Sequence, residues 1–292
     1  MKTCYLISGH PQTYTECVSS FSGNFSSPEV DTYAHLWWDN SHQGKCYKLH
    51  FKDTLESIDL SEKIIKDFNL KESIIDSGAD FDLTFFKKFT KDAWGDNTDE
   101  FYKILTPIVL YGILSQTYSA NQAYSLCKKY EYDVVIKARP DLILTKNIME
   151  IVGSLDLSDG QIYFQSSVEG GHLYAGEYPN KPCDWFFVAN QKTMGKFLNE
   201  WHNSIPEKFS HGIIHTNELI KNITESNNMT SHLIDFGAYI YKNATEHYYK
   251  YHNKVEVYLN DFDLESYEPK TASLWPYWID KINFKHFKNI TF

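Results

Sequence analysis

The run YDVVI, Tyr132–Ile136, shows no regular polar alternation. A strand that is apolar on both faces must be covered on both, and helices are the usual cover for a largely parallel sheet. The run follows a strong helix signal, with Thr106 as N-cap, Pro107 at the first helical position and Lys128-Lys129 at the C-terminal end. A helix delivering the chain to a doubly covered strand predicts an α/β fold with a mainly parallel sheet flanked by helices. Other runs repeat the pattern. Cys4–Ser8, Thr32–Trp38, Gln161–Gln165 and Trp185–Val188 read as strands. Ser61 caps a helix through Leu70, Asn190 caps one carrying Met194, Phe197, Leu198 and Trp201, and Thr216 caps one carrying Leu219, Ile220 and Ile223. From about residue 240 the chain is Tyr-rich and weakly periodic, and reads as a mixed tail wrapping the rest.

With 292 residues, 42% of them hydrophobic, the chain can bury a full core, and no linker or repeat divides it, so one domain is expected. A net charge of -10 with scattered Lys and Arg gives no basic field for nucleic acid. The five cysteines are widely spaced and include no C-x-x-C pair, which fits reduced thiols in the cytoplasm. No apolar run is long enough for a membrane span. Aromatic residues, at 16%, fill cores and also form platforms for bases and sugars.

After Ile136 the chain turns charged, Lys137-Ala138-Arg139-Pro140-Asp141, before running apolar again. In open α/β sheets, ligands sit beyond the carboxyl ends of the strands. Pro140 cannot donate to a ladder, so the strand is expected to end or bulge there, with Arg139 and Asp141 at that edge. Asp141 there can hold Mg2+ or Mn2+ bridging phosphates, and Arg139 can bind phosphate through two bonds. The same residues also read as a structural salt bridge.

The segments CYLISGHPQTY, HLWWDNSHQGKCY, YDVVIKARPDLIL and CDWFFVAN resemble small GT-A glycosyltransferases of bacteria and large DNA viruses, chlorella viruses included. In that group the metal-binding D-x-D motif takes the form R-x-D, and Arg139 stands here at the first acid. The resemblance spans roughly the first 220 residues. It implies a GT-A-like fold, with residues 1–145 holding a nucleotide sugar and 146–292 facing the acceptor. The donor is expected to be UDP-linked, UDP-xylose among the candidates, and the acceptor a glycan or glycoprotein hydroxyl. It further implies that Ser8, Gly9 and His10 border the nucleotide, that Gln12 meets a base edge, and that Trp38 and Asp39 share this edge. Ser119, with Gln116 and Asn121, would meet the donor or solvate an exposed turn. Lys137 and Arg139 would neutralise phosphate, and Asp141 would ligate Mn2+ or Mg2+.

An inverting transfer also needs a base. Asp184, beside Trp185, and Glu218, in the first turn of the Thr216 helix, are the two candidates. Gly170-Gly171-His172 reads either as a lid or as a plain surface loop. His211 and His215 lie four apart, but without an H-E-x-x-H glutamate no zinc is expected. P-loop, G-x-G-x-x-G and G-x-S-x-G motifs are absent. A non-catalytic carbohydrate-binding protein on the same fold is the competing expectation. A nucleotidyltransferase would want further acids near the motif.

Overall fold

The computed structural model describes residues 1–11, 14–25, 27–37, 60–76, 100–166, 182–210, 216–240, 242–244, 247–251 and 255–259. Seven strands make the main sheet: β1 (Thr3–Gly9), β2 (Val30–Trp37), β3 (Leu70–Asp76), β4 (Val134–Ala138), β6 (Gln161–Ser166), β7 (Pro182–Ala189) and β8 (Thr230–Ile234). Their order is β3-β2-β1-β4-β7-β6-β8, and only β7 runs against its neighbours. The expected mainly parallel α/β sheet is present. Two short strands, β5 (Leu142–Leu144) and β9 (Ala238–Ile240), form an antiparallel ribbon. A third sheet joins β10 (Lys242–Ala244), β11 (His247–Tyr251) and β12 (Val255–Leu259), where a mixed tail was expected.

Alternate residues of the central strands feed two cores, as a period of two requires. Cys4, Leu6 and Val135 face one core with the helices α3 (Glu100–Cys127), α5 (Gln191–Asn203), α6 (Ile205–Ser210) and α7 (Thr216–Ser226). Tyr5, Ile7 and Ile136 face the other, with α1 (Tyr14–Phe25), α2 (Leu60–Asp67), α4 (Ile148–Val152) and the β5–β9 ribbon. Within the first core Phe187, Phe197 and Trp201 pack ring on ring at centroid distances of 5.4 to 5.7 Å. Burying each such ring contributes about 1.5–3 kcal/mol.

Several element boundaries differ from expectation, each for a local reason. The helix expected through Leu70 stops at Asp67, because Asn69 takes a left-handed φ of 49° and Leu70 opens β3. Helix α3 begins at Glu100, so Pro107 lies inside it rather than at its start. The roughly 3 kcal/mol cost of an interior proline is offset by the buried face that Leu110, Ile113, Leu114, Ala120 and Ala123 supply. Strand β4 starts two residues late, since the amides of Asp133 and Val134 turn back to the Lys2 carbonyl, and it runs on to Ala138. Pairing with Leu6 of β1 and Phe187 of β7 keeps Lys137 in the strand. Helix α1, Ser-rich and weakly patterned, has no counterpart among the expected elements.

Gly195 on α5 faces the Tyr124 ring of α3, and a Cβ placed there would meet the Tyr124 hydroxyl oxygen at 2.4 Å and ring carbon Cζ at 2.8 Å. Glycine to alanine in a helix normally gains about 1 kcal/mol. Here overpacking reverses the sign, and Gly195→Ala is expected to lose about 1–3 kcal/mol of stability in urea denaturation.

Candidate functional site

The charged interruption is a corner where the chain leaves the main sheet. Strand β4 pairs with β1 up to Ile7↔Ala138 and with β7 up to Ala138↔Phe186, and then the ladder stops. Pro140 has no N–H to continue it. Three residues resume as β5, which pairs with β9 on the α1 side. Helix α1 anchors this return, with Ser20 Oγ accepting from the Leu144 amide at 2.9 Å and Asn24 Oδ1 from the Ile148 amide at 2.8 Å.

At the corner Arg139 Nε and one Nη donate to the two carboxylate oxygens of Asp141, at 2.8 and 2.7 Å. The Asp141 side chain is wholly buried, whereas that of Arg139 is 24% exposed. The end of β1 lies alongside. Gly9 takes φ +124°, and a Cβ on it would sit 4.0 Å from Pro140 Cδ. Ser8 Oγ is buried without a hydrogen-bond partner among the described residues. The strand order reverses between β1 and β4, and at such a switch point the loops part and leave a crevice at the carboxyl edge.

Strand β7 brings Asp184 to this edge, since it lies two residues before Phe186, which pairs with Ala138 at the end of the β4 ladder. The Asp184 backbone carbonyl is doubly held, by Lys137 Nζ at 2.8 Å and Gln116 Nε2 at 3.2 Å. The next residue, Trp185, donates its indole N–H to the Ala238 carbonyl at 3.3 Å, tying β7 to the ribbon. Lys137 is fully buried, its ammonium 5.5 Å from the Phe187 ring centre and 5.9 Å from that of Trp201. Burial drives its pKa down to about 7, against the attraction of Asp184 and Asp141 and with the repulsion of Arg139.

On the β2 side, His35 is buried between Ser119 Oγ at 3.0 Å and the Asp76 carboxylate at 3.1 Å. Burial pushes its pKa down, opposed by Asp76. Trp37 is core, stacked on Tyr118 and donating its N–H to the Ser115 carbonyl.

The corner therefore gathers Ser8, Gly9, Arg139, Asp141 and Asp184 at one edge, with Lys137 beneath them. Ser119 lies deeper, bonded to His35, and Gln116 and Asn121 brace α3 against β7 and α5. His10 follows Gly9 at the same edge and is half-buried. Helix α7 runs back to the start of β8, which is parallel to β4, so its first turn with exposed Glu218 belongs to the same edge. Gln12, Trp38, Asp39, the Gly170-Gly171-His172 stretch, His211 and His215 lie outside the described residues. His35 and Asp76 were missed by sequence reasoning. The available signal was a lone histidine inside the apolar strand YAHLW, which demands a buried partner.

The divalent ion implied by the family resemblance does not fit this donor set. Both Asp141 oxygens accept from Arg139 inside a sealed corner, and a guanidinium occupies the position of the first acid. Among the described residues no group of three His, Cys, Asp or Glu side chains converges. Cys4, Cys17, Cys127 and Cys183 are buried and form no disulfide among the described residues. Burial raises the thiol pKa of Cys4 and Cys183, which disfavours the thiolate a soft metal would need. No helix among the described residues is long and apolar enough to cross a membrane.

The unfolded chain keeps the Lys137 proton to about pH 10.5, whereas the folded chain gives it up near 7. Between those values the unfolded state binds more protons, so the contribution of Lys137 to stability rises with pH. Relative to Lys137→Met, wild-type stability in chemical denaturation should climb above pH 7 by up to about 1.4 kcal/mol per pH unit. A flat difference would mean that the ammonium reaches water.

The sequence matches no family model and no curated protein. Among solved structures the chain is similar to a protein of Desulfovibrio desulfuricans described as a nucleotide-diphospho-sugar transferase, at 10% identity and a TM-score of 0.40, covering 80% of this chain and 79% of that one. It is also similar to mouse xyloside xylosyltransferase 1 in its apo form, at 11% identity and a TM-score of 0.38, covering 80% of this chain and 84% of that one.

Proposed function

We propose that this chain is a GT-A-type glycosyltransferase that moves a sugar from a nucleotide-diphosphate donor, UDP-linked, to a hydroxyl of a glycan or glycoprotein. The observation that carries the reading is the reversal of strand order between β1 and β4. It opens the carboxyl edge where Ser8-Gly9, Arg139-Pro140-Asp141 and Asp184 come together. In doubly wound sheets that crevice is where nucleotides bind. On this reading residues 1–145 hold the donor and 146–292 present the acceptor.

The chemistry asks for charge stabilisation of a departing diphosphate and a group to accept the acceptor's proton. Arg139 is the partly exposed cation at the edge. Asp184 is suited to the base, for its backbone is clamped through the carbonyl while its side chain is only partly buried. Glu218 is exposed on the first turn of α7 and ranks second. A non-catalytic carbohydrate-binding protein is the second reading, favoured by the enclosure of Asp141 in its ion pair.

Slow donor hydrolysis separates the two. The purified protein should split one member of a panel of UDP-, GDP- and dTDP-sugars without acceptor. Asp184→Asn should lower transfer to acceptor by about 10²–10⁴-fold, the usual contribution of a positioned base, while UDP affinity measured by calorimetry stays within about threefold. Glycan binding without turnover of any donor would favour the binding protein.

A further inference from the structure

The ion pair at the corner is asymmetric, and the asymmetry decides which partner a ligand can meet. Asp141 has no accessible surface, and each of its oxygens already accepts from Arg139. An arriving cation finds no carboxylate to bind. An arriving anion meets instead the arginine, whose side chain is 24% exposed at the carboxyl edge. We propose that Asp141 is a positioning residue rather than a metal ligand, and that the Arg139 guanidinium it holds binds the donor's diphosphate directly. This rests on the donor reading above and assigns the anion-binding group within it.

Three further observations support the assignment. The two parallel bonds fix the guanidinium plane, so little rotamer freedom is left to lose when an anion docks. The carboxylate is itself fixed, because β5 follows it directly and is pinned by β9 and by Ser20. The glycine end of β1 lies against Pro140, with room for a ligand's backbone contacts where a side chain would stand. Since the pair is neutral as a unit, recognition here is by directed hydrogen bonds more than by net charge.

Calorimetry of UDP binding in EDTA and in Mn2+ tests the assignment, first on the wild-type protein so that no variant need fold. The expected result is an affinity that changes by less than about threefold between the two conditions. Arg139→Lys keeps the charge but loses the fork, and should weaken binding in EDTA by about tenfold or more, the worth of one charge-assisted bond. Asp141→Asn retains one acceptor oxygen for the guanidinium, so it should bind UDP more tightly than Arg139→Lys does. UDP binding that requires Mn2+ and is abolished by Asp141→Asn would make Asp141 a ligand and overturn the inference, while leaving the donor reading intact. No binding of UDP, GDP or dTDP under either condition would sink the inference together with the reading beneath it.

Discussion

A strand can remain in a sheet only while its amides find partners, and β4 runs out of them at Pro140. From that single missing N–H follow the departure of the chain from the main sheet, the change of partner from β1 and β7 to β9, and the burial of Asp141 inside the bend. A carboxylate so enclosed would be costly alone, by several kcal/mol, and costs far less when a guanidinium satisfies both its oxygens. The corner thus has a mechanical reason for its proline and an electrostatic reason for its arginine. Any ligand chemistry at the edge is built on a geometry that the backbone already demands.

Lys137 shows the same economy one step earlier in the strand. An ammonium with no accessible surface gives up hydration worth many kcal/mol, and a carbonyl bond with two aromatic faces returns only part of it. The remainder shows as its depressed pKa. In return the Asp184 carbonyl is held from beneath by β4 and from the side by Gln116 of α3. Two elements, β4 and α3, therefore fix where the start of β7 lies, and the Asp184 side chain inherits that fixed origin.

Much of this was legible in the sequence because the strongest signals were periodic. The run Val134-Val135-Ile136 of β4, with no polar alternation, required helices on both faces, and the proline placed the sheet's edge near Arg139 and Asp141. The sequence did not disclose that Lys137 belongs to the strand, because a charge in an apolar run reads as its end. Its place there shows only in the pairing of Lys137 with Leu6 of β1 and Phe187 of β7, contacts between residues far apart in the chain. The His35–Asp76 contact was likewise out of reach, since it joins residues 41 apart through the pairing of β2 with β3. Nor could spacing show that Arg139 and Asp141 face each other, because residues two apart in an extended strand share a side but need a bend to bring them into a fork.

Gln165 makes a last point about order in time. Its carbonyl oxygen accepts from the amides of Phe236 and Ala238, and its amide group donates to Asp235 and Ser166, so it holds the turn that feeds β9. Strand β9 is the partner of β5, which comes nearly a hundred residues before it. A nascent chain that has emerged only through β7 owns the main strands β1 to β4 and the anchor at Ser20 of α1, but not the strand that pairs with the segment after Asp141. The bend is thus sealed late in synthesis, and until then its apolar return, Leu142-Ile143-Leu144, is an open edge that the cell must keep from other chains.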